Sequence, residues 1–250
     1  MFFLCIAFAI IIPYLICSIN PAIIVTKIKS GKDIRKLGSG GAGLTNTLRT
    51  QGKTAAVIVL LGDILKGVIS VLLVIGFFNI LEPWTSYLEN RPDSLHEVLT
   101  EIKPVMSQFL MWTASLFSVL GHCYPVYYKF KGGKAVLVTF STGLVINWLA
   151  VIIAAVVFIA IVAITRYVSL GSMLAAIVYS VSVFFTNVYI WGYPNPFIGF
   201  IYSSVITAIL IFMHKKNIIR LINKTERKLG VSERPHVRER VNNKKSGEKE

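Results

Sequence analysis

From Ala135 to Thr165 the chain runs through 31 residues without a charged side chain. A helix crossing a bilayer needs about 20 apolar residues, so this run is too long for one ordinary crossing. Whether it crosses once or twice decides the side on which every later segment lies. Other uncharged runs recur at Phe2 to Thr26, Thr54 to Leu81 (apart from Asp63 and Lys66), Met106 to Val126, Tyr167 to Ile190 and Phe197 to Met213. The chain is 54% hydrophobic with a mean hydropathy of +0.67. The expectation is an all-α, polytopic membrane protein, because helices satisfy their own backbone groups in lipid.

Charge divides the long run. The segment Lys27 to Lys53 holds seven Lys and Arg, whereas Glu82 to Val105 holds two bases against five acids. By the positive-inside rule the first connector is cytoplasmic and the second is outside. The next helix returns inward and delivers Lys129, Lys131 and Lys134 to the cytoplasm. One crossing over Ala135 to Thr165 would then place outside both Arg166 and the tail after His214, with its twelve Lys and Arg. Two helices, Ala135 to Ile146 and Trp148 to Thr165 with a break at Asn147, remove the conflict. The result is seven transmembrane helices, the N-terminus outside and the C-terminus cytoplasmic. The first of the pair is too short to cross straight and is expected to pack within the protein. Residues 1–229 form the membrane domain, with a helix expected from Asn217 to Leu229 along the cytoplasmic surface and a basic, disordered tail over 230–250. The AFA at Ala7 to Ala9 lies inside an apolar run with no basic segment before it, so retention rather than cleavage is expected.

This topology gathers four polar motifs at one surface. In GSGGAGLTNTLRTQG, Gly38, Gly40, Gly41 and Gly43 allow positive φ and bare N–H groups near a ligand. Ser39, Thr45 and Asn46 add short donors, and Arg49 a fork for phosphate. The plain reading is a flexible connector. In GHCYPVYYKFKGGK, Lys131 and Lys134 bracket Gly132 and Gly133 at a helix start, which suits a phosphate or merely sets topology. His122 reads as a cap or buried donor. RYVSL contributes Ser169, and HKKNIIRL places His214 and Asn217 on one helix face. Asp63 and Lys66, three apart inside a span, read as a bracing pair. Cys5, Cys17 and Cys123 read as core residues, so no disulfide or metal site is expected, nor any cofactor.

In this order, GSGGAGLTNTLRTQG with DILKG, then GHCYPVYYKFKGGK, RYVSL and HKKNIIRLINKTERK resemble the bacterial glycerol-3-phosphate acyltransferases of the PlsY family, over roughly residues 18–228. The resemblance implies seven helices, a cytoplasmic site in the bacterial plasma membrane, and transfer of an acyl group from acyl phosphate to the 1-hydroxyl of glycerol 3-phosphate, giving lysophosphatidic acid. It makes Ser39, Arg49 and Lys134 phosphate contacts, with Ser169, His214 and Asn217 completing the glycerol phosphate pocket. Gly38, Gly40, Gly43, Thr45, Asn46, Lys131, Gly132 and Gly133 line it. Gly41 stands where the family usually has Asn, and Ala135 where it has Gly.

Acyl phosphate is a mixed anhydride, already activated, so a protein need only hold two anions together and fix the attack geometry. His214 or the substrate phosphate would take the hydroxyl proton. Membrane lipids and other phospholipid-synthesis enzymes are the expected partners, with no nucleic acid. Two alternatives stay open at this level: a transporter for a phosphorylated anion, which would call for basic residues at mid-membrane and an internal repeat, and an inactive homologue acting as a scaffold.

Overall fold

The computed structural model describes residues 2–81, 93–193 and 195–230, and among them every regular element is helical. In chain order these are α1 (Phe2–Ser18), α2 (Pro21–Ser30), α3 (Leu44–Gln51), α4 (Lys53–Ile80), α5 (Asp93–Cys123), α6 (Val136–Ile146), α7 (Trp148–Thr165), α8 (Val168–Tyr189), α9 (Pro196–Met213) and α10 (Lys215–Ile222). Single 3-10 turns occur at Ile34–Lys36 and Val126–Tyr128.

Among the described residues, six segments are long and apolar enough to cross a membrane: Phe3–Ser30, Lys53–Ile80, Ile102–Tyr128, Trp148–Thr165, Val168–Tyr189 and Pro196–Met213. The seventh expected helix, α6, has only 11 residues and a length of about 16 Å, roughly half a hydrocarbon core. It is instead lodged against α4, with Val138, Ser141, Thr142 and Gly143 buried.

The expected break at Asn147 is present. Asn147 leaves helical geometry at φ −153° and ψ 76°. Its Oδ1 accepts from Ala150 N at 3.1 Å and caps α7. Its Nδ2 donates to Thr186 Oγ1 at 2.7 Å and Asn187 Oδ1 at 3.0 Å on α8. A helix interruption inside a membrane protein is tolerable only when freed polar groups find partners in this way.

The first span is not the single helix expected from Phe2 to Thr26. It breaks at Ile19 and Asn20, because the residue before Pro21 is pushed toward extended geometry and Asn20 sits at φ −110° and ψ 102°. Asn20 caps α2 through Ile23 N at 3.1 Å. The last carbonyls before the break are taken by Lys66, whose Nζ donates to Ile19 O at 2.8 Å and Cys17 O at 3.2 Å. Lys66 and Asp63 do pair, at 2.9 Å, inside the bundle.

α1 packs on α5, and α8 lies between α7 and α9. Val74, Leu110, Trp112, Ile146 and Val183 centre the larger core. A second core, including Cys17, Val119, Ala135, Val138 and Leu210, underlies the polar loops. Between helices, small hydroxyl side chains meet in pairs, as in Ser115 with Thr142 at 2.8 Å and Ser180 with Ser204 at 2.8 Å. Val156, Ile159 and Ile164 of α7 face outward, as expected where lipid is the solvent.

The helix expected from Asn217 to Leu229 ends early, at Ile222. Lys224 takes a left-handed conformation at φ 55°, and residues 223–230 fold back as an irregular strap. Leu229 N donates to Arg166 O at 2.8 Å and Arg166 Nε to Leu229 O at 3.2 Å. The expected tail from residue 231 onward, and the outer connector over 82–92, lie outside the described residues.

Candidate active site

The glycine loop is held from inside by one amide. Asn46 is 4% exposed; its Oδ1 accepts from Ser39 N at 2.9 Å, and its Nδ2 faces Gly41 O at 2.9 Å and Leu37 O at 3.0 Å. Gly38 sits beside it at φ 54°, where a Cβ would come within 2.3 Å of Asn46 Oδ1, so both backbone conformation and space call for glycine. Asn46 is thus the loop's internal brace, and its amide has no N–H left over for a ligand. Gly40 N is likewise spent on Leu37 O at 2.9 Å. Ser39 is exposed, Thr45 half-buried, and Gly43 starts α3 without a side-chain cap.

The KGGK loop is pinned by its own backbone. Gly132 N donates to Cys123 O and Gly133 N to His122 O, each at 3.1 Å. A Cβ on Gly132 would lie 2.0 Å from His122 O, and one on Gly133 2.2 Å from His122 Nε2 and 2.5 Å from Ala42 O. These two glycines therefore serve close approach, with their amides already committed to protein carbonyls. The same contact joins the KGGK loop to the glycine loop at Ala42. Arg35 clamps the outside: Nη1 donates to Tyr128 O at 2.8 Å and Lys131 O at 3.0 Å, while Nε and Nη2 grip Asp33 and hold its carboxyl below the usual range. Lys131 stays exposed. Ala135, where φ is 57°, occupies a left-handed position that glycine would take without strain.

Lys134 turns inward. Its Nζ donates to Asn217 Oδ1 at 2.6 Å. Asn217 Nδ2 then donates to Glu226 Oε1 at 2.7 Å, and Ser169 Oγ donates to the same oxygen at 2.7 Å. Arg220 Nε meets Glu226 Oε2 at 2.7 Å. Helices α8 and α10, the KGGK loop and the strap thereby close one polar network. Arg49 Nη2 reaches the strap at Arg227 O, 3.3 Å away.

Burial pushes Lys134 down to about 8; the carboxylate of Glu226 opposes this, and the charges of Arg220 and Arg49 add to it. Burial also pushes His214, 2% exposed, down to about 4, with Lys134 as the next cause. Its Nδ1 lies 2.8 Å from Leu210 O, and a carbonyl can only accept, so Nδ1 carries the proton and Nε2 keeps a lone pair. For Glu226, burial is outweighed by the hydrogen bonds from Ser169, Arg220 and Asn217, which hold its carboxyl below the usual range. Arg220 at the carboxylate, Lys134 one amide away and Arg49 near enough for its charge to act on Lys134 gather cations beside the buried imidazole, a setting for anions.

Residues 7–224 match the family model described as glycerol-3-phosphate acyltransferase. The chain belongs to that family. The glycerol-3-phosphate acyltransferase of Halalkalibacterium halodurans is 37% identical over 218 residues, covering 87% of this chain and 92% of that one. The Bacillus subtilis enzyme is 36% identical over 224 residues, covering 90% and 97%. Among solved structures, the integral membrane glycerol 3-phosphate acyltransferase PlsY in its glycerol 3-phosphate form superposes with a TM-score of 0.69 at 32% identity, covering 90% of this chain and 96% of that one. Its lysophosphatidic acid form gives 0.68 at 30% identity. This chain is accordingly a multi-pass integral membrane protein with the fold of a glycerol-3-phosphate acyltransferase.

Within the fold of this acyltransferase family, the structure brings Lys134, Ser169 and Asn217 into one network, with His214 and Arg49 beside it. It keeps Lys131 at the rim. Glu226 and Arg220 are the members that sequence reasoning missed. The one signal for Glu226 was an acid standing alone among the bases of KKNIIRLINKTERK, where a continued helix would have carried it away from Ser169.

Proposed function

We propose that the protein is an acyl-phosphate:glycerol-3-phosphate 1-O-acyltransferase of the bacterial plasma membrane, with its site on the cytoplasmic face, the N-terminus outside and the C-terminus inside. The observation that carries this reading is the cationic cluster of Lys134, Arg49 and Arg220 set against a neutral, buried His214. Glycerol 3-phosphate, named as bound in the related PlsY structure, is the acceptor. The 1-hydroxyl oxygen attacks the carbonyl carbon of acyl phosphate, the new ester bond forms, and the carbon–oxygen bond to phosphate breaks. The products are lysophosphatidic acid and inorganic phosphate.

The protein's part is positioning and charge. Two substrate anions repel in water; Lys134, Arg49 and Ser39 offset that repulsion and align the hydroxyl with the carbonyl. His214 Nε2 accepts a hydrogen bond from the attacking hydroxyl. The hydroxyl proton goes to this imidazole, neutral in the ligand-free site because it is buried, or to a substrate phosphate, whose second pKa is about 6. The orientation is supported by the Lys and Arg that flank the site.

The test is purified protein in nanodiscs given labelled glycerol 3-phosphate with acyl phosphate, acyl-CoA or acyl carrier protein as donor. Lysophosphatidic acid formed from acyl phosphate alone is expected. Transfer only from acyl-CoA or acyl carrier protein would overturn the donor, and no transfer from any would overturn the activity.

A further inference from the structure

The stretch Val126 to Lys131, VYYKFK, leads from α5 into the glycines of the KGGK loop. Its rings divide. Tyr128 packs inward on the cluster of Ala22, Ile23 and Ile34, whereas Tyr127 and Phe130 are 55% and 58% exposed and alternate with the exposed Lys129 and Lys131. The backbone is bent to make this division: Lys129 and Phe130 stand in succession at φ 57° and 56°, a left-handed geometry that bulky side chains rarely take. Strain of this kind persists only where surrounding contacts over-determine it, and here they do. Phe130 N donates to Pro125 O at 3.0 Å and Lys131 N to Tyr128 O at 3.3 Å, while Arg35 Nη1 holds Tyr128 O and Lys131 O from the other side. The outcome is a rigid lip that turns two rings and two ammonium groups outward.

The place of the lip along the chain says what covers it. The segment long and apolar enough to cross, Ile102–Tyr128, ends inside this stretch, so the rings lie where hydrocarbon gives way to headgroups. Aromatic rings suit that level, and ammonium groups beside them match anionic lipid. Lys134 comes four residues after Phe130, and the offset is fixed because Gly132 N and Gly133 N are bonded to the carbonyls of Cys123 and His122. An acyl phosphate is itself an amphiphile, with its chain in the bilayer and its phosphate among the headgroups.

We infer that Tyr127 and Phe130, with Lys129, are seated in the anionic headgroup layer on the side of the site and fix the depth at which the KGGK loop meets a membrane-borne acyl phosphate. This rests on the proposed acyl transfer, in which the other substrate, glycerol 3-phosphate, arrives from water. The lip touches no reacting atom; its residues are positioning residues.

The test has a structural arm and a kinetic arm, both in nanodiscs containing anionic lipid. For the first, a nitroxide is attached to Phe130→Cys, with Val156→Cys on the outward face of α7 as the bilayer reference and Lys32→Cys as the solvent reference. Cys5, Cys17 and Cys123 are buried and stay unlabelled. The label at 130 is expected at interfacial depth, more open to oxygen and less open to a water-soluble nickel complex than the label at 32. Accessibility equal to that at 32 overturns the lipid contact and leaves a patch suited to a soluble acidic partner. For the second arm, Tyr127→Ser combined with Phe130→Ser is expected to raise KM for acyl phosphate about fivefold or more and to leave KM for glycerol 3-phosphate within about twofold of wild type. Phe130→Trp keeps an interfacial ring and should stay near wild type. Both KM values unchanged in the double variant, or both raised equally together with a lower melting temperature, overturn the positioning role. An interfacial label in a protein that transfers no acyl group from acyl phosphate would defeat the proposed donor and leave the lipid contact standing.

Discussion

Lys134 and Asn217, separated by 83 positions in the chain, meet at 2.6 Å. That bond joins the KGGK loop to α10 and aims a half-buried ammonium at the carboxylate network. Lys134→Ala is expected to lower kcat/KM by about 10- to 100-fold, the cost of one charge-assisted contact of about 1.5 to 3 kcal/mol, with the protein still folded and inserted. Steady-state kinetics beside a thermal melt checks it; turnover near wild type at both low and saturating substrate would sink the assignment.

The same lysine sets a pH limit. Its ordinary value is lowered to about 8, burial being the first cause, and only the protonated form holds an anion. In the free enzyme kcat/KM should therefore be sustained below pH 8 and fall as pH rises through it. A bound dianion favours the ammonium, so kcat should fall at higher pH than kcat/KM. The two pH profiles measured on one preparation decide this; superimposed profiles, or a flat kcat/KM to pH 9.5, would contradict it.

Glu226 ties Ser169, Asn217 and Arg220 together through its two oxygens. Glu226→Gln keeps the shape and loses the charge, so Arg220 is left facing a neutral amide. Expected are a stability loss of about 1 to 3 kcal/mol and a lower kcat/KM as Asn217 loses its anchor. Because this carboxyl is held below its usual range, its contribution to stability is present above the unfolded carboxyl's range and is lost as pH falls through the folded value. Acid unfolding of wild type should thus start from a higher stability than that of Glu226→Gln, and the two should converge at low pH. Parallel curves would refute the role.

Some of this was legible in the residues and some was not. The Asn147 break was legible because an uncharged run of 31 residues is too long for one ordinary crossing and Asn147 is a polar residue within it. The break at Asn20 was not, since no charge marks it and the partner for its carbonyls, Lys66, comes from a distant helix. Asn46 looked like a free donor because short polar side chains in a glycine loop suit a ligand equally well; only the folded loop shows its amide committed to Ser39, Leu37 and Gly41. Gly132 and Gly133 suited a phosphate nest by pattern, yet the end of α5 takes their amides. Glu226 needed the chain to turn back after Ile222, which a local apolar rhythm cannot reveal.

Gly41 has φ outside the left-handed region, and a Cβ there would meet only Ser39 Oγ at 3.7 Å, an ordinary contact. Gly41→Asn, which restores the residue usual in the family, should fold, with kcat/KM equal to or above wild type. Loss of insertion or a tenfold fall in kcat/KM would mean that this loop follows its own path and would weaken the assignment of Ser39.

The strap over residues 223–230 separates two truncations that a linear view of the tail would treat alike. It carries Glu226 into the network, offers Arg227 O to Arg49 at 3.3 Å and bonds Leu229 to Arg166 at 2.8 Å. Ending the chain after Gly230 retains all three ties and removes six Lys and Arg with four acids. Turnover should persist, with at most a rise in KM that salt abolishes, since a basic segment attracts anions to its surroundings and that attraction is screened over about 10 Å. Ending it after Asn223 removes all three ties and leaves Ser169, Asn217 and Arg220 without their shared carboxylate. That variant should insert but lose most kcat/KM and melt earlier. Kinetics at two salt concentrations on both truncates checks the contrast: an inactive but inserted first truncate would place the chain end in the site, and a fully active second truncate would remove Glu226 from it.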